Sequence, residues 1–166
     1  FDGGVTIDNI TIDGTEIDLS SGTLTIDAAS IALDASDSIS TPTAGTSNVK
    51  LGVNAGNSIA SGGNYNVVIG DEAGTALTTG DANTAIGFEA LTTEDANTGN
   101  TAIGYRALKT LDAGADALNV AIGYEAATSL TTGVQNVIIG GNAGDALTDA
   151  DFNVAIGLGA LTTDTK

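Results

Sequence analysis

Histidine, cysteine, methionine and tryptophan are missing from all 166 residues, and proline occurs once, at Pro42. Without Cys or His there is no thiol or imidazole catalysis, no Cys/His zinc site and no disulfide framework. Basic residues are scarce too. Four Lys+Arg stand against 21 Asp+Glu, for a net charge of −17. Phosphate contact needs clustered Lys and Arg, so the balance excludes a nucleic-acid partner. It disfavours an anionic membrane surface for the same reason. No apolar run approaches the roughly 20 residues of a membrane span, and no segment reads as a signal peptide. Lacking an initiating Met, the chain reads as an excised piece of a longer one.

Aromatics make up only 4% of a chain that is 42% hydrophobic. Much of that apolar content is Ala, Val and Ile, which cannot fill a wide globular core. Twenty-three Gly among many Thr, Asn and Asp point to short strands joined by tight turns.

A single phrase organises the chain from Asn48 onward. It reads NVKLGVNA at Asn48, NVVIGDEA at Asn66, NTAIGFEA at Asn83 and NTAIGYRA at Asn100. It returns as NVAIGYEA at Asn119, NVIIGGNA at Asn136 and NVAIGLGA at Asn153. The Asn-to-Asn spacings are 18, 17, 17, 19, 17 and 17 residues, the signature of a solenoid.

Each phrase reads as a strand followed by a turn. Alternation puts Val120 and Ile122 on one face, and Asn119, Ala121 and Gly123 on the other. The bulky face is expected to line the coil interior, which places Ile69, Ile86, Ile103, Ile122, Ile139 and Ile156 inside. Gly52, Gly70, Gly87, Gly104, Gly123, Gly140 and Gly157 close the strands. An unvarying Gly there fits a positive φ or a backbone contact with no room for Cβ. An Ala three residues later, from Ala55 to Ala160, implies a thin interior.

A compensation accompanies this pattern. Leu follows that Ala at Leu91, Leu108 and Leu161. Where Gly56, Gly74, Ala127 or Gly144 takes the place, Ile59, Leu77, Leu130 or Leu147 appears three positions on. Each coil thus supplies a large apolar plug on its return side. Stretches such as Thr78–Asp81 and Asp112–Asp116 read as loops, and the second holds the two extra residues of the longest spacing.

The first 44 residues have another period. Apolar pairs at Ile10/Ile12, Ile17/Leu19, Leu24/Ile26 and Ile31/Leu33 step by seven. The i, i+2 pairing excludes a coiled coil. Very short strands with two inward residues each are the better reading, and such strands need partner chains to bury a core. Thr41–Gly45 reads as the junction.

The phrase N-[TV]-A-I-G-x-x-A-L, with T-T-G between copies, resembles the repeats of phage tail fibres and related appendage proteins. It is also similar to the head repeats of trimeric autotransporter adhesins, whose period of about 14 residues is shorter. The resemblance spans Asn48 to about Leu161. It implies an all-β homotrimer: a parallel β-roll of about seven coils over residues 45–166, preceded by an intertwined β-shaft over residues 1–44, itself similar to phage-fibre shafts. It implies a structural role in a virion appendage, as a rigid spacer between flanking fibre domains and a distal tip that meets the host cell surface. The alternative is a bacterial surface adhesin stalk or head, which is extracellular. A polysaccharide-degrading tailspike is a third, weaker reading.

No catalytic, cofactor-binding or metal-ligating residue stands out. Most acids fall in turns or polar corners, and neither an EF-hand loop nor the Gly-rich calcium nonapeptide occurs. Phe88, Tyr105 and Tyr124 share one place in three successive coils and read as a stacked ladder rather than a sugar-binding strip. The next place carries Glu89, Arg106 and Glu125. Coils about 4.8 Å apart would set Arg106 between two carboxylates.

Overall fold

A computed structural model describes residues 44–114 and 116–162. These residues belong to one compact unit, Ser38–Lys166. The expected shaft and its apolar pairs lie outside the described residues.

Seven three-residue strands form the fold: β1 Val49–Leu51, β2 Val67–Ile69, β3 Thr84–Ile86, β4 Thr101–Ile103, β5 Val120–Ile122, β6 Val137–Ile139 and β7 Val154–Ile156. They make one parallel sheet in sequence order. Equivalent residues face each other throughout, as in Ile86 opposite Ile103 and Ile103 opposite Ile122. The chain is an all-β parallel solenoid, with no helix among the described residues. None there is therefore long and apolar enough to cross a membrane.

Two successive turns carry the chain away from each strand. The first runs from the fixed Gly to the fixed Ala, whose N–H donates to the Gly carbonyl at 3.2–3.4 Å in all seven copies. Its third place holds Asn54, Glu72, Glu89, Arg106, Glu125, Asn142 or Gly159, every one at φ between 53° and 64°. A positive φ there is the signature of a type II turn. The second turn starts at the residue after the Ala. Leu77, for example, donates its N–H to the Gly74 carbonyl at 3.1 Å. On the return leg the coils bond to one another again. Gly74 N–H donates to Ala90 O at 2.9 Å, and Leu91 N–H to Ala107 O at 3.0 Å. The backbone amides of both legs are thus satisfied by the neighbouring coil.

The expected facing of the strands is reversed. The middle strand residue points inward: Val68, Ala85, Ala102, Ala121 and Ile138 are buried, while the residues on either side are half-buried. Ile69, Ile86, Ile103, Ile122 and Ile139 therefore stand on the outer face, as does Ile156 in the exposed last strand. The cause is width. Ala73, Ala90, Ala107, Ala126 and Ala143 line the opposite wall and are fully buried. Where one apolar plug per coil was expected, the fourth coil buries two, Leu108 and Leu111, and the third buries Leu91 with Glu94. An interior lined by alanines and filled by these side chains has no room for two β-branched side chains from every strand.

The leading Asn residues also turn inward, contrary to expectation. Asn48, Asn66, Asn83, Asn100, Asn119 and Asn136 are buried. Each Oδ1 accepts the backbone N–H of the next Asn at 2.8–3.1 Å, through to Asn153. Five of the Nδ2 groups donate to loop carbonyls of their own coil, at Gly63, Gly80, Asn97, Gly133 and Ala150. A buried amide is tolerated only when its hydrogen bonds are made, so the repeat holds Asn at this place.

The glycines do what was expected of them. Gly52 to Gly157 have φ between 126° and 140°. A Cβ on Gly70 would lie 2.6 Å from the Gly87 carbonyl oxygen. Both reasons for Gly therefore apply at once.

Candidate functional site

The described residues enclose no pocket. Two surface features remain as candidates: the outer sheet face and the corner ladders beside it.

The outer face exists because short strands alternate and the interior takes only the middle residue. It carries Val67/Ile69, Thr84/Ile86, Thr101/Ile103, Val120/Ile122 and Val137/Ile139 in register, flanked by Val49/Leu51 and Val154/Ile156 at the ends. Neighbours above and below half-cover the central isoleucines. At the ends Leu51 and Ile156 are each 67% exposed. The result is a band along the solenoid that is apolar except at Thr84 and Thr101.

The corner ladder follows from the first turn, which sets one side chain per coil at the same height. Arg106 Nε donates to Glu89 Oε2 at 2.6 Å, and its guanidinium approaches Glu125 Oε1 at 3.9 Å. The expected arrangement of Glu89, Arg106 and Glu125 is therefore present. Lys109, which the sequence did not single out, adds a second cation at 2.7 Å from Glu89 Oε2. Lys109 and then Arg106 hold the Glu89 carboxyl below its usual range, and Glu89 holds the Arg106 guanidinium higher. Asn54 donates to Glu72 at one end of the ladder, and Asn142 to Glu125 at the other.

The aromatic ladder is present as well. Phe88 and Tyr105 stack with centroids 5.5 Å apart, Tyr105 and Tyr124 at 5.0 Å, both nearly parallel. Arg106 lies 4.8 Å from the Tyr105 centroid, a cation–π contact. Both Tyr105 faces are occupied by the neighbouring rings, which leaves a sugar little to stack on.

Glu94 is the residue that sequence reasoning missed. It is fully buried, although its neighbours Thr93 and Asp95 are exposed. Counting from the leading Asn, it occupies the place of Leu77 in the coil before and Leu111 in the coil after. That substitution was visible in the sequence, but Leu91 had already supplied the plug of this coil. Asn97 N–H donates to Glu94 Oε1 at 3.0 Å, while Oε2 has no partner. Burial pushes the Glu94 carboxyl up, against the hydrogen bond from the Asn97 backbone N–H.

Comparison with family models, with curated proteins and with solved structures finds no match to this chain.

Proposed function

We propose that the chain is a structural segment of a homotrimeric fibre, a virion appendage in which the solenoid is a rigid spacer. The observation that carries this reading is the apolar outer face. Val or Thr pairs with Ile on the outer face of β2 to β7, and Val49 with Leu51 on β1, in fixed register on a protein whose net charge is −17. Such a band on an acidic chain fits a partner with the same repeat and the same apolar band. A second and third copy of the chain meet that requirement around a threefold axis, each coil level with its equivalents. The shaft reading of residues 1–44 fits the same assembly, because two inward residues per strand need other chains to close a core. Similarity of the repeat phrase to phage tail-fibre repeats supports a virion rather than an enzyme.

The spacer role rests on regularity. Loops of near-constant length and similar residues offer little to a receptor. A surface this acidic repels a negatively charged envelope. Light scattering on the intact chain is expected to give three times the 16.2 kDa of one chain. Ile103→Lys and Ile122→Lys together, at the centre of the band, should shift that mass toward the monomer. A stable folded monomer of the unaltered chain would refute the assembly. Labelled protein should not bind susceptible cells at physiological salt, and saturable binding that blocks adsorption would refute the spacer.

A further inference from the structure

Among the described acids only Glu94 is turned into the core, and two features make it more than a misplaced plug. First, it does not stand alone. Carboxylate oxygens of Glu94, Asp95 and Asp112 all lie within 4.8 Å of one another. Calcium–oxygen bonds run to about 2.3–2.6 Å, so two ligands of one ion are at most roughly 5 Å apart. The three carboxylates thus fall within reach of a single ion. Second, the buried groups around this point are unfinished. Glu94 Oε2 and Asn97 Nδ2 are both shielded from solvent and neither has a hydrogen-bond partner. Asn97 is 3% exposed and its amide stands beside the Glu94 carboxyl. Turned about its last bond, that amide presents its oxygen instead.

We propose that Glu94, Asp95 and Asp112, with Asn97 as a fourth donor, form a calcium site that clamps the third coil to the fourth. Every donor is oxygen, the set preferred by hard cations. Glu94 supplies the buried ligand. Asp95 and Asp112 are exposed, so water completes the coordination from outside. Irregular loops and a mixed ligand set suit the flexible sphere of Ca²⁺ better than the strict octahedron of Mg²⁺. Among the described ion pairs none engages these three acids, and the two cations of this region are held by Glu89. A divalent ion removes the mutual repulsion of three carboxylates and satisfies Glu94 Oε2 in one step. It also explains why Glu94 stands between Leu77 and Leu111 without breaking the stack.

The test uses the whole chain, stripped with a chelator and then titrated with CaCl₂. Saturating Ca²⁺ is expected to raise the melting temperature by roughly 5 °C or more over the chelated protein. Equal millimolar Mg²⁺ should raise it far less. Asp112→Asn should melt like the parent in chelator but bind Ca²⁺ at least about tenfold more weakly, since it loses a charged ligand. Glu94→Leu, which restores the plug of the neighbouring coils, should be more stable than the parent in chelator and indifferent to Ca²⁺. A parent protein that melts at the same temperature with Ca²⁺ and with chelator would overturn the proposal, as would Glu94→Leu responding like the parent. Stability that rises only on acidification, with no calcium effect, would show Glu94 to be a buried neutral acid and would also overturn it.

Discussion

Leu77 Cδ1 stands 2.9 Å from where a Cβ on Gly74 would lie. In the fourth coil Leu108 stands at the place of Gly74 and Leu111 at the place of Leu77, and both leucines are fully buried. Val68 Cγ1 closes the space beside Gly74 from the strand, 3.0 Å from that Cβ. Ile138, Gly144 and Leu147 repeat the arrangement in the sixth coil. Coils with Leu at this place have Ala in mid-strand instead, as Ala85/Leu91 and Ala102/Leu108 show. In these coils a bulky mid-strand residue is thus exchanged for Leu at the place of Gly74, whereas the fifth coil has Ala at both places, Ala121 and Ala127.

This exchange can be tested by a double-mutant cycle. Gly74→Leu alone overpacks the second coil and should cost about 1–3 kcal/mol. Val68→Ala alone leaves a cavity and should also destabilise. Together they reproduce Ala102, Leu108 and Leu111 of the fourth coil, all fully buried. The pair should therefore recover at least about 1 kcal/mol relative to the sum of the singles in urea unfolding. Simple additivity would show that the two side chains do not share one space.

The glycine stack predicts a positional contrast. Gly70→Ala drives a methyl group into the Gly87 carbonyl, whereas a Cβ on Gly157 meets nothing within 4 Å. Both substitutions bear the strain of a positive φ, and only the first adds a backbone collision. Gly70→Ala should lower stability by at least about 2 kcal/mol more than Gly157→Ala. Equal effects would mean that conformation alone selects Gly here.

The asparagine ladder has one weak rung. Asn83 donates to Asn97 O at 2.8 Å, but Asn100 Nδ2 has no partner, and its coil contains the two-residue insertion. Both residues accept an N–H from the next Asn. Replacing Asn83 by Ala strips a partner from a buried carbonyl as well as from that N–H. Asn100→Ala strips only the N–H. Asn83→Ala should be the more damaging by about 1 kcal/mol or more in thermal or urea melts. The reverse order would show that the amide nitrogens contribute nothing.

Charge at the corner governs salt and pH response. Arg106→Glu stacks three carboxylates in adjacent coils and should lower the melting temperature by a few degrees at low ionic strength, with partial recovery in high salt. An unchanged melting temperature at low salt would show that the ladder contributes nothing. Glu89 is held below its ordinary value of 4.5 by Lys109 and Arg106. Its contribution is therefore complete above pH 4.5 and is lost as the pH falls through its lower folded value. The parent should lose stability over that acid range more steeply than Glu89→Gln, and parallel profiles would contradict the assignment.

Much of this architecture was legible in the chain. Asn spacings of 17–19 residues set the coil length, and that length set the register that brings Arg106 to Glu89. The fixed Gly announced a close backbone approach, and the pattern marked Leu77, Leu91, Leu108 and Leu130 as core, but not the burial of Leu111 together with Leu108 in one coil. These features repeat, and a repeat shows its own neighbours, because residue i always meets its equivalent one coil on.

Facing was settled only in three dimensions. A three-residue strand offers two faces, and alternation does not say which one turns inward. Bulk argued for Val120 and Ile122, yet the interior took Asn119 and Ala121, because the far wall is a row of alanines and the buried amides find carbonyls inside the loops. Glu94 escaped notice for a related reason. Its place in the sequence matched a leucine, but only the packed coil shows that its carboxyl is enclosed beside Asp95 and Asp112. Period and register follow from covalent spacing and belong to the sequence. Inside and outside depend on what the opposite wall leaves room for, and that is a property of the closed coil.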